Sequence, residues 1–440
     1  MAKLTVAMNG IEVGILSKDN RGGMDFQYAS TWLSRPGARA ISLSLPLTGE
    51  VYRGERVYNF FDNLLPDSDA LRNRMQSRFQ VPTSHPFDLL DSVGRDCIGA
   101  IQLYPEGSSL PSNDRINATP LNDSEIAELL AGYQSAPLGM TENEDFRISL
   151  AGAQEKTALL WYQNQWHKPT GSTPTSHIFK MPIGFLEHSN IDLRESSENE
   201  WLCLKILAAF GLPVAKAELA NFGNQTVLIV ERFDRRWASD SSWLMRLPQE
   251  DFCQALGIAP AIKYENDGGP GIHQSMKLLL GSQQAQEDRE RFFKSQILFW
   301  LLAAIDGHAK NFSLFIEPAS TFRMTPLYDV ISALPLIAQG SLPAKRAKMA
   351  MSVKGKNRHY HWARIHPRHF LTTARSAGFS QERTRFLMAD IAAQTDPVIE
   401  QLAATLPVDF PEPISRTIFE GMRSQAAKLE QFLTTERQKR

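Results

Sequence analysis

Six consecutive residues, Asp306-Gly307-His308-Ala309-Lys310-Asn311, follow the apolar run FWLLAAI and place an aspartate and an asparagine five positions apart. A packed element does not normally run into a charged, amide-rich cluster unless the chain turns outward there. Asp and Asn at this separation suit phosphoryl transfer: the first orients or deprotonates an acceptor hydroxyl, and the second supplies an oxygen to a divalent ion. The competing reading is an Asx-rich turn that caps a helix. Eighteen residues beyond Asn311, TPLYDVISA sets Asp329 at the end of a short apolar segment, where it is either a helix cap or a second metal ligand. Mg2+ takes hard oxygen ligands and keeps water and substrate phosphates, so Asn311 and Asp329 would suffice without a histidine cage.

Further candidates lie upstream. Lys180, in HIFKMP among apolar neighbours, is a point charge on a long stem that suits the α- and β-phosphates of a nucleotide. Glu200, in a helical segment, is a candidate partner that would keep Lys180 ionised and placed. The backbone at Glu231, Arg232 and Phe233, after the apolar TVLIV, could meet an adenine edge. Each of these alone reads more readily as a solvated strand-edge charge, and the functional case comes from their order along the chain. The loop Ser149-Leu150-Ala151-Gly152-Ala153-Gln154-Glu155-Lys156 has small residues at its centre. Successive N–H groups in such a turn cradle anions, although the pattern is not GxxxxGK[ST] and an ordinary tight hairpin is the alternative. Phosphate added to Ser149 would bring negative charge to the same N–H groups and draw the loop away or block it.

The elements that must position these residues read as two kinds. In residues 1–105, KLTVAM and the alternating ISLSLP at 41–46 suggest strands, and 58–75 and 85–93 look helical, giving a small α/β unit. Ser, Pro, Asn and Asp then dominate 106–144, which reads as a linker with one short helix, SEIAELLAGY. FRISLAGAQEKTALLWYQNQWHKP reads as a β-hairpin opening a nucleotide-binding part over 145–255. HIFKMP and TVLIVERFDRR supply further strands, with the helix ENEWLCLKILAAFGL between them. From Arg289 onward the chain reads as mostly helix, so 256–440 is expected to be a helical catalytic and partner-binding subdomain.

Composition narrows the partners. The 440 residues are 42% apolar and 22% charged, and 47 basic against 48 acidic side chains leave a net charge of -1, which excludes a uniformly basic coat. Val330 to Gln381 nevertheless contains no Asp or Glu, nine Lys or Arg, and the histidines His359, His361, His366 and His369. This local basic face reads equally as a solvated surface or as one that meets DNA phosphates, without a helix-turn-helix or zinc-finger pattern. The three cysteines, Cys97, Cys203 and Cys253, lack C-x-x-C spacing, so neither a disulfide framework nor a zinc knuckle is expected. MAKLTVAMNG turns polar early and the longest strongly apolar run is Ile297 to Ile305, so neither a secretory signal nor a membrane span is expected.

Taken together, these segments resemble the HipA-type serine/threonine kinase family, the toxin component of a bacterial toxin-antitoxin pair. The resemblance is carried by SLSLPL, YNFFDNLLPDS, FDLLDSVGRDCIGA, DFRISLAGAQEKTAL, VERFDRRW, LPQEDFCQALG, YENDGGPGI, DGHAKNFS, TPLYDVISA and HPRHFLTTA, spread from residue 42 to residue 374. It implies an α/β N-terminal subdomain and a mainly helical C-terminal subdomain, distantly related to the protein-kinase fold. By resemblance, Asp306 is the catalytic aspartate, Asn311 and Asp329 hold Mg2+, and Lys180 contacts the ATP phosphates. Ala151, Gly152, Ala153, Gln154, Glu155 and Lys156 correspond to the phosphate loop, and Glu231, Arg232 and Phe233 to the nucleotide hinge. His308, Ala309, Lys310 and Tyr328 join the nucleotide site, and Ser149 corresponds to an inhibitory autophosphorylation site. There is neither a GxGxxG loop nor a DFG triplet, and Tyr328-Asp329 stands where the triplet is expected.

The implied activity is transfer of the ATP γ-phosphate to a protein serine, with glutamyl-tRNA synthetase the leading target and growth arrest or persistence the result. The implied partners are a dimeric HipB-type antitoxin and, through it, operator DNA, in the cytoplasm and on the nucleoid when complexed. Arg375 corresponds to a basic DNA-contact position, while Gly378 replaces a second. A catalytically silent corepressor and a small-molecule kinase are the alternatives.

Overall fold

The computed structural model describes residues 1–112, 115–135, 156–187 and 190–438. The chain divides into two compact units. The first comprises Met1–Met181, Ala220–Ile262 and Ser313–Arg323; the second comprises Pro182–Leu219, Lys263–Phe312 and Met324–Arg440.

The first unit opens with an antiparallel sheet in the order Tyr52–Arg53, Met24–Tyr28, Ile11–Lys18, Ala2–Met8, Ile101–Pro105. Leu4, Val6 and Met8 project from one strand into a core shared with Phe60 and Phe61 of the helix Glu55–Asp62 and Leu89, Leu90 and Val93 of the helix Pro86–Val93. That second helix starts where the sequence says it should. Pro86 occupies a position that needs no N–H donor, and the His85 ring accepts from Phe87 N at 3.2 Å.

ISLSLP, expected as a strand, is instead a turn closed by one bridge between Ser42 and Leu45. Its alternation reflects side-chain bonding, not a ladder. Ser42 Oγ donates to Glu250 Oε2 at 2.5 Å, Leu43 N to Glu250 Oε1 at 2.8 Å, and Ser44 Oγ to the Gln254 carbonyl at 2.8 Å.

A second sheet runs in the order Ala217–Phe222, Gln225–Glu231, His177–Lys180, Lys156–Tyr162, Gln165–Pro169, Ala118–Leu121. The hairpin turns at Gln163 and Asn164, whose φ values of 50° and 58° are those of a two-residue primed turn. The FRISL limb of the expected hairpin lies outside the described residues. The stretch read as a linker carries its helix, Asp123–Ser135, and also the strand Ala118–Leu121, which pairs with Gln165–Pro169. Ile126 and Leu130 from that helix pack with Leu159, Phe179, Val227 and Ile229.

The second unit is mostly helical, built around Ser196–Ala209, Ala285–Leu302, Pro367–Ser376, Gln381–Ala403 and Glu412–Gln438. The run that ends in FWLLAAI is buried on all sides from Ile297 to Leu302, as its unbroken apolarity requires. The reading of everything beyond Arg289 as mostly helix missed a hairpin inside the basic region, Lys348–Lys354 paired with Arg358–His361. The strands Ser313–Ile316 and Phe322–Met324 also lie in that stretch. An α/β N-terminal part and a mainly helical C-terminal part are therefore what the chain forms. Among the described residues no helix is long and apolar enough to cross a membrane.

Candidate active site

The helix Ala285–Leu302 stops at Ala303, whose φ of 47° reverses the chain while its N–H closes onto the Phe299 and Trp300 carbonyls. The chain then turns outward and leaves Asp306 exposed. Gly307 fits because a Cβ there would meet the Phe299 ring at 2.6 Å. The Asp306 carbonyl accepts from His308 N at 2.8 Å and from Asn311 Nδ2 at 2.9 Å. The same Nδ2 also reaches the Asp329 carbonyl at 3.3 Å. Tyr328 Oη donates to the Lys310 carbonyl at 2.8 Å, tying the two segments a second time. His308, Ala309, Lys310 and Asn311 are all buried.

The structure thus brings together residues that the sequence separates by eighteen positions. With the Asn311 amide nitrogen committed to two carbonyls, its remaining polar atom is Oδ1, an oxygen of the type a hard cation takes. Asp329 does not cap the next helix, Leu334–Ala338, whose N-cap is Ala333. Its φ of 60° is left-handed, a conformation Asp tolerates better than most residues. Asn311 and Asp329 fit a Mg2+ ion that brings its own water and phosphate oxygens. Among the described residues no three His, Cys, Asp or Glu side chains cluster as a closed metal cage.

One residue of this cluster escaped the sequence reading. Tyr264 Oη donates to Asp306 Oδ1, and its ring stands edge-on to His308 with centroids 4.9 Å apart. YENDGGPGI contributed to the family resemblance, but nothing in the spacing of a lone tyrosine marks it as a neighbour of Asp306.

In the first unit, Lys180 ends the strand His177–Lys180, 6% exposed. Strand register places it directly opposite Lys156, the first described residue after the small-residue loop. Ser149 and residues 151–155 lie outside the described residues. Glu231 ends its strand opposite His177. Arg232 differs from its neighbours: its N–H donates to the Ser176 carbonyl at 2.9 Å, and its side chain turns into a buried ionic cluster. The Arg232 N–H is therefore not open to an adenine edge, and the Phe233 ring meets Phe315 edge-on at 5.8 Å. Glu200, expected beside Lys180, is buried on the helix Ser196–Ala209 of the second unit.

The cluster beneath the Glu231–Phe233 segment centres on Asp96. It accepts from Arg232 Nη1 at 3.1 Å, Arg235 Nη2 at 2.9 Å, Arg246 Nε at 3.0 Å and Thr175 Oγ1 at 2.7 Å. Asp234 takes Arg232 and Arg235, each at 2.9 Å, and the Gly99 N–H at 2.7 Å. Burial alone would raise the Asp96 carboxyl, but the three guanidiniums hold it well below the usual carboxylate range. Burial, with the adjacent Arg232, pushes Arg235 down to about 10.

The basic stretch exposes Lys345, Arg346, Lys348, Lys354, Lys356 and Arg358 on and beside its hairpin. Arg375 is exposed in the last turn of the helix Pro367–Ser376. Gly378, with φ of 63°, stops that helix while Phe379 N donates to the Ala374 carbonyl at 2.8 Å. A left-handed stop favours glycine. His359 and His369 stack with centroids 4.1 Å apart, and burial, then His359 and Arg368, push His369 down to about 4.

Comparison with known proteins follows this architecture. The HipA-like C-terminal domain matches residues 148–399 and the HipA N-terminal domain matches residues 4–104. A Sinorhizobium fredii protein named "Putative kinase Y4mE" is 32% identical over 357 residues, 80% of each chain. The serine/threonine-protein kinase toxin HipA of Shewanella oneidensis is 27% identical over 341 residues, 75% of each chain. In the solved complex of Shewanella oneidensis HipA, HipB and its operator DNA, the matching chain aligns over 97% of both chains. The TM-score is 0.79 at 22% identity, a likeness of fold.

Proposed function

The chain belongs to the HipA family of kinase toxins, and from that premise we propose that it transfers the γ-phosphate of ATP to a protein serine. The observation that carries this reading is the Asn311 amide, which binds the Asp306 and Asp329 carbonyls and so holds both acidic residues in one small turn cluster. Asp306 accepts the acceptor hydroxyl's proton as the new O–P bond forms and the bond between the γ-phosphorus and the β-bridging oxygen breaks, releasing ADP. Mg2+, held by Asn311 and Asp329, would offset phosphate charge. Lys156 and Lys180 bind phosphate oxygens, and Ala151, Gly152, Ala153, Gln154 and Glu155 are the proposed phosphate-loop residues by family resemblance. His308, Ala309, Lys310 and Tyr328 shape the nucleotide site around Asn311. Glu231 and Phe233 present backbone to the base, with Arg232 bracing them from the ionic cluster.

Glutamyl-tRNA synthetase is the proposed protein substrate and Ser149 the proposed site of inhibitory autophosphorylation. A HipB-type dimeric antitoxin is the proposed partner. Operator DNA would be reached through that complex, with Arg375 adding a phosphate contact. Support for the partner is the likeness to a fold solved with HipB and DNA, together with the exposed basic hairpin.

The test is labelled phosphate incorporation from γ-labelled ATP with Mg2+ and the synthetase, followed by phosphopeptide mapping. Asp306→Asn and Asp329→Asn should each abolish transfer while nucleotide binding persists in the first. Near-native turnover in either variant refutes the assignment, and a map without phosphate at Ser149 removes the regulatory part.

A further inference from the structure

An exposed aspartate is a poor base unless something fixes its carboxylate, because the terminal torsion of Asp is broad and water competes for both oxygens. The backbone of Asp306 is held by His308 N and Asn311 Nδ2. Those bonds reach its carbonyl. At the carboxylate, the Tyr264 hydroxyl donates to Oδ1.

Tyr264 is itself well anchored. Its ring packs edge-on against His308, and Lys263 Nζ lies 5.7 Å from the ring centroid. Its carbonyl accepts from Asp267 N at 3.1 Å and Gly269 N at 2.9 Å. On one side, the Lys263 carbonyl accepts from Ala309 N at 3.4 Å. On the other, the Glu265 carboxylate accepts from Ser352 N at 2.6 Å and Ser352 Oγ at 2.9 Å, with Arg358 at 3.7 Å. Gly271 leaves the space that this carboxylate fills, since a Cβ there would overlap it. The three residues 263–265 thus form a strap, pinned at one end to the turn that follows Asp306 and at the other to the basic hairpin.

We propose that Tyr264 is a positioning residue for phosphoryl transfer: its hydroxyl sets the plane of the Asp306 carboxylate, and Glu265 holds the strap that sets Tyr264. This rests on the reading of Asp306 as the base. Such a residue lowers the barrier without touching nucleotide, so its loss appears in kcat and not in KM for ATP.

Tyr264→Phe keeps the ring against His308 and removes only the hydroxyl. It should lower kcat by about 10- to 100-fold, the range expected when a reacting group loses its alignment. KM for ATP and Tm should stay at wild-type values. Glu265→Gln, which keeps the phenol but weakens its anchor, should lower kcat by a smaller factor, again at unchanged KM. Asp306→Asn, assayed in parallel, separates two failures. If it retains turnover, the catalytic reading falls; if it is dead while Tyr264→Phe turns over within about twofold of wild type, a change too small for lost alignment, the positioning role alone falls. Should Tyr264→Phe prove unstable, a wild-type kcat in Glu265→Gln overturns the proposal just as directly.

Discussion

Lys156 and Lys180 are direct partners across two antiparallel strands, two cations on one face of a sheet. Both cations would lie beside the phosphates of a bound nucleotide, as the proposed function requires. Lys180→Met should therefore weaken ATP binding by about 10- to 100-fold, the value of one charge-assisted hydrogen bond. A melting curve without nucleotide should still show a single cooperative transition. Titration of a fluorescent ATP analogue and a melting curve read the two effects; unchanged affinity would remove Lys180 from the phosphate site.

The Asp96 cluster sets an acid limit on stability. The Asp96 carboxyl lies below its ordinary value of 3.8 in the fold, so the unfolded chain takes up the proton first as pH falls. The stabilisation is complete above 3.8 and is lost as pH drops towards the folded value. Asp96→Asn leaves three buried guanidiniums short of a charge and should cost about 3 to 5 kcal/mol at pH 7. The difference from wild type should shrink on acidification, as read by melting curves between pH 3 and pH 7.

Glu250 behaves in the opposite sense. Burial pushes its carboxyl up to about 8 from 4.5, with Ser42 and Leu43 pulling the other way. The fold holds this proton where the unfolded chain has lost it, so stability present below 4.5 declines as pH rises through about 8. Glu250→Gln retains an acceptor for Leu43 N and removes the titration; its amide N–H would face Ser42 Oγ, which can turn its own proton to the Gln254 carbonyl, 3.2 Å away. Its Tm relative to wild type should climb between pH 5 and pH 9; a flat difference would show that Glu250 is already ionised in the fold.

Much of this was readable from the chain, and the exceptions share a cause. Asp306, Asn311 and Asp329 stood out because polar groups interrupt apolar runs, a purely local contrast. The strands around Lys180 and Glu231 and the helix Ser196–Ala209 followed from periodicity. Tyr264 did not, because its partner lies 42 residues away and a half-buried tyrosine has no local signature. ISLSLP misled because its serines bond to Glu250 and Gln254, more than two hundred positions on, and mimic the two-residue period of a strand. The basic hairpin was hidden by its charge: KMAMSVK is buried from Met349 to Val353, and the lysines at both ends give it the look of a solvated surface.

The basic face can be tested through salt. With a HipB-type antitoxin and operator DNA, Arg375→Ala should reduce the slope of log affinity against log salt by about one, the signature of a single phosphate contact. Mobility shifts with kinase alone, antitoxin alone and both together give the slopes; an unchanged slope removes Arg375 from the interface. Restoring a cation by Gly378→Lys should cost about 1 kcal/mol of stability, because the helix stop at 378 is left-handed.

The left-handed backbone of Asp329 also governs how an inert version of this protein should be made for work in living cells. A growth phenotype is interpretable only if the silent control is as abundant as the active form. Alanine or valine at 329 would remove the carboxylate and also impose a backbone penalty, so lower abundance could pass for lost toxicity. Asparagine shares the tolerance of aspartate for this conformation. Asp329→Asn is thus the substitution whose cellular effect reports chemistry alone.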